Sequence, residues 1–555
     1  MILVSQEQIK KYEDEGVWIK KTLLDTFKES AREHPDRVAL VDPPNKEQLV
    51  GLKPERLTYK ELDNAIDAVA TELLDRGVKK DDIIVAQLPN IWELAMLYLA
   101  VSRAGGMLSP LPVQWREKEL RYIFELTKSR YFITVEEFHR FKHLEMGKKL
   151  QSVTNLQHVI SLAELKNMTK GQVKKCELNR IKIAANDVFN VQWTSGTEAE
   201  SKACPMSHNN WRYACNVLSK ACLLEKGDTI LCVAPLVNMT AIGVNFMPWI
   251  AVSGTLVLHH PIDLVVLIKQ IIEEKVNFTI VVPAILNKIL KHPDVDKFDF
   301  SSIRTLASGS APLSLFALKE FKRRWGIELI NIWGQNEGTG NVSGPHTTPE
   351  LEKRVDMFPR ITKEIKWGID PAMDVTETKI VDTVTGEELS HPGDVGELLW
   401  RGPFTIPCYF NQPDFTERAF DKNGFFHTGD LFMIRDDRYM SFFDRKKDII
   451  IRGGFNISAP EIENILLGHP KIQEVAAVAM PDEIMGEKVC VYVVPKGGET
   501  ITLEEITFFM KEQGVAIYKL PERLEIIDAI PRNPVGKVLK AKLKEDIKKK
   551  INLIE

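Results

Sequence analysis

Thr194, Ser195, Gly196 and Thr197 follow an apolar run, and Lys202 stands five residues beyond the last of them. Small hydroxylic residues and a glycine let backbone N–H groups and hydroxyls converge on phosphate oxygens, and a lysine behind them adds a mobile positive charge. That is phosphate-binding chemistry, although a Ser/Thr/Gly cluster alone also makes an ordinary turn. The spacing G-x-x-x-x-G-K-[ST] of a Walker loop does not occur. Two further small, polar clusters, Ser308 to Ser310 and Gly334 to Gly340, also follow apolar runs.

Such clusters need elements to hold them, and residues 57–135 alternate helical and strand patterns. Thr58 and Glu61 have capping-box spacing and open an apolar-periodic run that stops at Gly77. A strand is expected over Ile83 to Leu88, a helix over Ile91 to Ala104 and a strand over Met107 to Leu111. The rhythm weakens between about Glu136 and Asn186, where charged residues dominate. It resumes with strands at 229–235, 255–258, 278–282, 303–308 and 328–333, separated by helical patterns. This is an α/β chain with a large N-terminal domain of doubly wound sheets, in which ligands sit at the carboxyl ends of strands. All three polar clusters lie at such ends, so one cleft is expected to gather them. From about Asp374 shorter β-like runs suggest a β-rich subdomain over 374–444. Past Asp444 a charged pivot, DRKKD, leads into a small mobile α+β domain. The expected division is therefore 1–445 and 446–555, with the boundary at Arg445 to Asp448.

A chain of 555 residues exceeds one core, and a net charge of −4 offers no electrostatic footprint for nucleic acid. The seven cysteines are odd in number and form no C-x-x-C, which fits reduced thiols in the cytoplasm better than a disulfide framework or zinc site. The first residues become charged too soon for a secretory signal. The apolar passage Ala241 to Leu258 is broken by Asn245, Pro248, Ser253 and Gly254, as a buried helix and strand would be, not a membrane span.

Six motifs in order carry a resemblance. Thr194-Ser195-Gly196-Thr197 with Lys202 is similar to the phosphate loop of the adenylate-forming superfamily of acyl-CoA synthetases, aryl-acid AMP ligases, luciferases and adenylation domains. Ser308-Gly309-Ser310-Ala311-Pro312-Leu313 resembles its adenine and acyl-pocket loop, and Trp333-Gly334-Gln335-Asn336-Glu337 its aromatic-Gly-x-Thr-Glu motif. Phe426-His427-Thr428-Gly429-Asp430 is similar to Tyr-x-Thr-Gly-Asp, Asp444-Arg445-Lys446-Lys447-Asp448 to the Gly-Arg-x-Lys-Asp hinge, and the segment ending Gly536-Lys537 to the terminal Pro-Arg-Thr-x-x-Gly-Lys.

The resemblance implies that a carboxylate attacks the α-phosphate of ATP to form an acyl-adenylate, which a thiol then cleaves, releasing AMP. Two anions must approach, so positive groups and a metal must offset their repulsion. By resemblance Lys537 bridges carboxylate and phosphate, with Glu337 and Asn336 completing the catalytic set; Thr197 and Glu337 hold Mg2+, a hard cation suited to oxygen ligands. Trp333 and Gly334 meet adenine, Asp430 accepts the ribose hydroxyls, and Arg445 reaches ribose or phosphate. Rotation at Lys447 presents the Gly453-Gly454 face to the pantetheine of coenzyme A. Asn238, Met239 and Gly309 face the acid.

Three departures bear on function. Glu198 and Ala199 replace a threonine and a glycine of the family loop, and a carboxylate there opposes triphosphate unless neutralised. Loose binding of ATP and pyrophosphate would suit an enzyme run backwards to make ATP. Asn336 stands where the family has a threonine that touches the α-phosphate. The aryl-acid ligases carry a His-Asn pair whose asparagine reads a ring hydroxyl; Asn238 and Met239 stand there, and a thioether cannot make that bond. An AMP-forming acyl-CoA synthetase for a cyclic, aromatic or medium-chain acid is expected. The alternatives are a stand-alone ligase that loads a carrier protein, and a weakened nucleotide-binding regulator. A homodimer is among the arrangements open to the chain.

Overall fold

The computed structural model describes residues 1–194, 201–309, 313–453, 455–532 and 538–552. Local signals act as physical chemistry requires. Thr58 accepts from the N–H of Glu61 while the Glu61 carboxylate accepts from the N–H of Thr58, so the capping box closes the start of helix Tyr59–Asp75. Helix Trp92–Arg103 is buried from Trp92 to Ser102, which marks a core helix rather than a surface one.

The strands of the first part are β1 Val38–Val41, β2 Arg56–Thr58, β3 Ile83–Gln87, β4 Met107–Pro110, β5 Tyr131–Thr134, β6 His158–Ser161, β7 Val188–Trp193 and β8 Ala203–Ser207. They are followed by β9 Thr229–Cys232, β10 Thr255–Leu258, β11 Phe278–Ile280, β12 Thr305–Gly309, β13 Glu328–Gln335, β14 Thr339–Ser343 and β15 Met357–Pro359. Two sheets result, in the orders β6-β5-β3-β4-β7-β8 and β14-β13-β12-β11-β9-β10-β1-β2. Interior strands pair in parallel, and β8, β14 and β2 turn antiparallel at the edges. Leu231, Val257, Leu306 and Leu329 of the second sheet share a core with Leu267, Leu286 and Phe321 of three covering helices.

Three readings are refined here. The stretch 136–186 continues the alternation, with β6, helix His143–Leu150 and helix Leu162–Met168. These elements are short and bury only a few positions each, so their charged outer faces swamp the periodicity. The polar clusters also belong to two sheets: β7 leads to Thr194 in one, while β12 and β13 carry 308–309 and 334–335 in the other. The buried helix expected within the passage Ala241 to Leu258 begins as a π-helical turn, Ile242–Phe246, before Met247–Val252.

The strands continue as β16 Glu377–Val381, β17 Val395–Arg401, β18 Phe426–Ile434 and β19 Tyr439–Arg445, lying in the order β19-β18-β17-β16. The last are β20 Ile450–Arg452, β21 Phe455–Ile457, β22 Ile472–Asp482, β23 Gly486–Pro495 and β24 Arg523–Ile526. Helices Ala459–Leu467 and Leu503–Glu512 bury Ile462, Leu466, Ile506 and Met510 against Val489, Val491 and Val493 of β23. By contacts the chain forms two compact units, one of residues 1–194, 201–378 and 400–426, the other of 379–399 and the described residues from 427 on. No helix among the described residues is long and apolar enough to cross a membrane. All seven cysteines are free thiols.

Candidate active site

In the first unit β7 and β8 form an antiparallel pair whose open end carries Thr194 and Lys202. The Thr194 N–H donates to the Lys202 carbonyl at 3.0 Å, and the Lys202 N–H donates to Thr194 Oγ1 at 3.2 Å. Both ends of the expected phosphate loop are thereby fixed. The Lys202 ammonium lies 5.4 Å from the ring centre of Tyr409 and 5.1 Å from that of Phe415, within cation–π range.

The turn after β13 brings more of the expected residues to the same place. Asn336 Nδ2 donates to the Trp193 carbonyl at 2.7 Å, its Oδ1 accepts from the Met239 N–H at 2.9 Å, and its own carbonyl accepts from Gln192 Nε2 at 2.7 Å. One residue on, Glu337 Oε1 accepts from the Tyr409 hydroxyl at 3.0 Å, and its backbone carbonyl accepts from the Ile406 N–H at 3.0 Å. A carboxylate so held keeps one orientation, and its oxygens are of the type a hard cation takes. Asn238 Oδ1 caps the following helix at the Ala241 N–H, 3.1 Å away, and Met239 is buried. Gly243 lies beside it, where a Cβ would sit 3.0 Å from Met239 Sδ and the thioether would have to give way slightly.

On β12, Ser308 is fully buried, and among the described residues its Oγ has no hydrogen-bond partner, at the strand end where the adenine loop is expected. Gly309 lies against β13 so closely that a Cβ would meet the Ile332 carbonyl at 2.3 Å. Trp333 is half-buried with its ring 6.0 Å from that of Trp400, and Gly334 pairs with Gly340 across the β13–β14 turn.

In the second unit Asp430 of β18 is registered opposite Arg445 of β19, with Arg445 Nε 3.8 Å from Asp430 Oδ1. Gly429 takes φ +67°, a left-handed value that suits glycine, and its N–H donates to Glu397 Oε1 at 3.1 Å. Glu397 Oε2 is also 2.9 Å from Lys446 Nζ and 3.4 Å from His427 Nδ1. Burial opposes ionisation of Glu397, but the hydrogen bonds from His427 and Lys446 outweigh it and hold the carboxyl down at about 2. Asp444 Oδ2 accepts from the Ala459 N–H at 2.9 Å and Oδ1 from the Arg445 N–H at 2.6 Å. Burial nevertheless pushes Asp444 up to about 6, with Lys540 pulling the other way. Lys447 is exposed, and its carbonyl accepts from Lys544 Nζ at 2.6 Å. Gly453 has φ +55°, and a Cβ there would lie 2.7 Å from Met485 Cε.

Ser195, Gly196, Thr197, Glu198, Ala199, Ser310, Gly454 and Lys537 lie outside the described residues. Sequence reasoning missed Gln192, Tyr409 and Glu397. Gln192 left a signal, since Asn190 and Gln192 are polar residues in a strand whose six positions are all buried, and a buried amide must find partners. Tyr409 lies 72 residues from Glu337, a separation that no local pattern reports.

The chain matches the model of the AMP-binding enzyme family over residues 27–410 and that of the AMP-binding enzyme C-terminal domain over 461–537. It is 30% identical over 553 residues to the medium-chain fatty-acid–CoA ligase of Escherichia coli, covering 97% of this chain and 93% of that one. To the 2,3-dihydroxybenzoate-AMP ligase of Bacillus subtilis it is 28% identical over 548 residues, covering 97% and 96%. The fold is shared with ATP-bound MatB from Rhodopseudomonas palustris, with a TM-score of 0.81 and 23% identity over 96% of this chain and 99% of that one. A tethered phosphate-loop stem, a braced carboxylate and two family matches in the same order converge: the chain belongs to the AMP-binding enzyme family, the adenylate-forming ligases that use ATP.

Proposed function

We propose that the protein is an AMP-forming acyl-CoA synthetase that activates a cyclic, aromatic or medium-chain carboxylic acid with ATP and passes the acyl group to coenzyme A. The observation that carries the acid class is the Asn238-Met239 pair. The Asn238 side-chain oxygen Oδ1 caps the helix that follows it, and the thioether of Met239 packs beside Gly243, so this segment offers an apolar face where a hydroxyaryl site needs a hydrogen-bonding one. In this reading a carboxylate oxygen bonds to the α-phosphorus as the bond to pyrophosphate breaks. The CoA thiolate then attacks the acyl carbon and AMP departs with the bonding pair. Lys202, Lys537 and Arg445 supply positive charge, Asp430 receives the ribose hydroxyls, and Ser308, Gly309, Ser310, Trp333 and Gly334 frame the base. Gly453 and Gly454 lie beside the pantetheine, with the domain boundary at Arg445 to Asp448.

The acidic side chain suited to Mg2+ is Glu337, with the hydroxyl of Thr197. A magnesium ion ordinarily takes one or two carboxylates and completes its shell with phosphate oxygens and water, so a lone oriented carboxylate fits it. When bound, the ion offsets phosphate charge.

The identity to the dihydroxybenzoate-AMP ligase favours a second reading, in which the acceptor is the pantetheine of a carrier protein. A panel of benzoate, cyclohexanecarboxylate, phenylacetate, hexanoate and acetate, scored by AMP release with and without free CoA, tests the first. CoA-stimulated release with a hydroxyl-free acid supports it, and activity confined to hydroxybenzoates would overturn it.

A further inference from the structure

The Asn336 side chain spans two elements that are far apart in sequence. Its Nδ2 reaches the carbonyl of Trp193, the last residue of β7, and its Oδ1 receives the N–H of Met239, the first residue of the helix after Asn238. Trp193 directly precedes Thr194, whose backbone and hydroxyl hold Lys202. A shift of that carbonyl therefore moves both stems of the loop. On the other side, the first N–H groups of a helix have no partner within it. Asn238 satisfies the Ala241 N–H, and the Met239 N–H is satisfied by Asn336. Gln192 Nε2 adds a second strut from β7 to the Asn336 carbonyl.

A threonine, with one short hydroxyl, cannot accept from Met239 and donate to Trp193 across both spans at once. We propose that Asn336 is a positioning residue that couples the phosphate-loop strand to the helix at 238–241, so that nucleotide binding sets the acid-facing segment. The side chain acts by joining two walls, and one of its two amide hydrogens is taken by the Trp193 carbonyl. The acid-facing role of 238–239 rests on the proposed function; the coupling itself does not.

Hydrogen exchange of the backbone around residues 237–246, in the full-length protein with and without saturating MgATP, reads the coupling. In the unaltered protein ATP slows exchange of this segment about tenfold, the size of an ordinary coupling between sites. In Asn336→Asp the acceptor for the Met239 N–H remains, so exchange without ATP stays as in the unaltered protein, while the ATP response disappears because a carboxylate faces the Trp193 carbonyl. In Asn336→Thr both the basal protection and the response fall, and the KM for the acid rises more than the KM for ATP. An ATP response kept in Asn336→Asp overturns the proposal. So does the absence of any response in the unaltered protein, or an ATP affinity that drops in the variants with the exchange pattern unchanged, which is the mark of direct phosphate contact. Failure to make acyl-CoA would sink the functional reading and leave this measurement standing.

Discussion

The Tyr409 hydroxyl donates to Glu337 Oε1 at 3.0 Å, and through that bond a residue on the loop after β17 orients the carboxylate on the turn after β13. Removing the hydroxyl leaves the Glu337 carboxylate less constrained. Tyr409→Phe is expected to raise the Mg2+ concentration for half-maximal activity about tenfold, the usual cost of losing an outer-shell partner. Glu337→Gln, which removes the proposed ligand itself, should lower kcat about a hundredfold or more, the scale of losing a preorganised charge-stabilising group. Magnesium titrations of both variants check the order; a larger effect from Tyr409→Phe than from Glu337→Gln would contradict the assignment.

Gly309 tests the strand that carries the adenine loop. A Cβ at this position would stand 2.3 Å from the Ile332 carbonyl, and that carbonyl is backbone and cannot swing away. Gly309→Ala should therefore cost about 1–3 kcal/mol of stability, as overpacking does. Adenylate formation, followed by pyrophosphate exchange into ATP, should fall along with the melting temperature. An alanine variant with native stability would show that β12 and β13 are not so tightly paired.

Met239 bears on which acid is taken. Met239→Ala removes the thioether beside Gly243, and the space left should shift kcat/KM toward bulkier or longer acids by about tenfold, the worth of a methylene or two in an apolar pocket. Chain-length and ring-size series measured on both proteins decide this. An unchanged ranking would place Met239 in the core rather than in contact with substrate.

Asp444 gives a pH dependence with a definite sign. Its carboxyl is pushed up to about 6 by burial, above an unfolded value of about 3.9. The folded state then binds more protons than the unfolded state between those values, so this residue lowers stability as pH rises from about 4 to about 6 and is level above that. Asp444→Asn, which keeps an acceptor for one of the two N–H groups, should flatten that slope. Chemical denaturation at a series of pH values, comparing the two proteins, measures it. A slope of the same size in both would remove Asp444 as its source.

Regular elements were legible where one physical signal dominated. The Thr58–Glu61 capping box formed as spaced, and β10 occupies Thr255–Leu258 as the apolar run between turn residues requires. Elements with a single short buried face, such as β6, were hidden by the charges around them. In the candidate site, residue types pointed to Lys202 and Glu337, but not to what holds them. Asn336 meets partners 97 and 143 residues away, and a bond of that separation leaves no periodic trace in the sequence. The amide that replaces a threonine was visible as a departure, and only its geometry showed two walls being joined.

One enzyme should make an acyl-adenylate and then a thioester on coenzyme A. A single-turnover reaction with radiolabelled acid, ATP, Mg2+ and free CoA, quenched over time and separated by chromatography, follows the label directly. The account predicts that label passes through enzyme-bound acyl-adenylate into acyl-CoA, with one AMP released for each thioester. Label that stays in the adenylate with CoA present, and leaves only when a carrier protein is added, would contradict it.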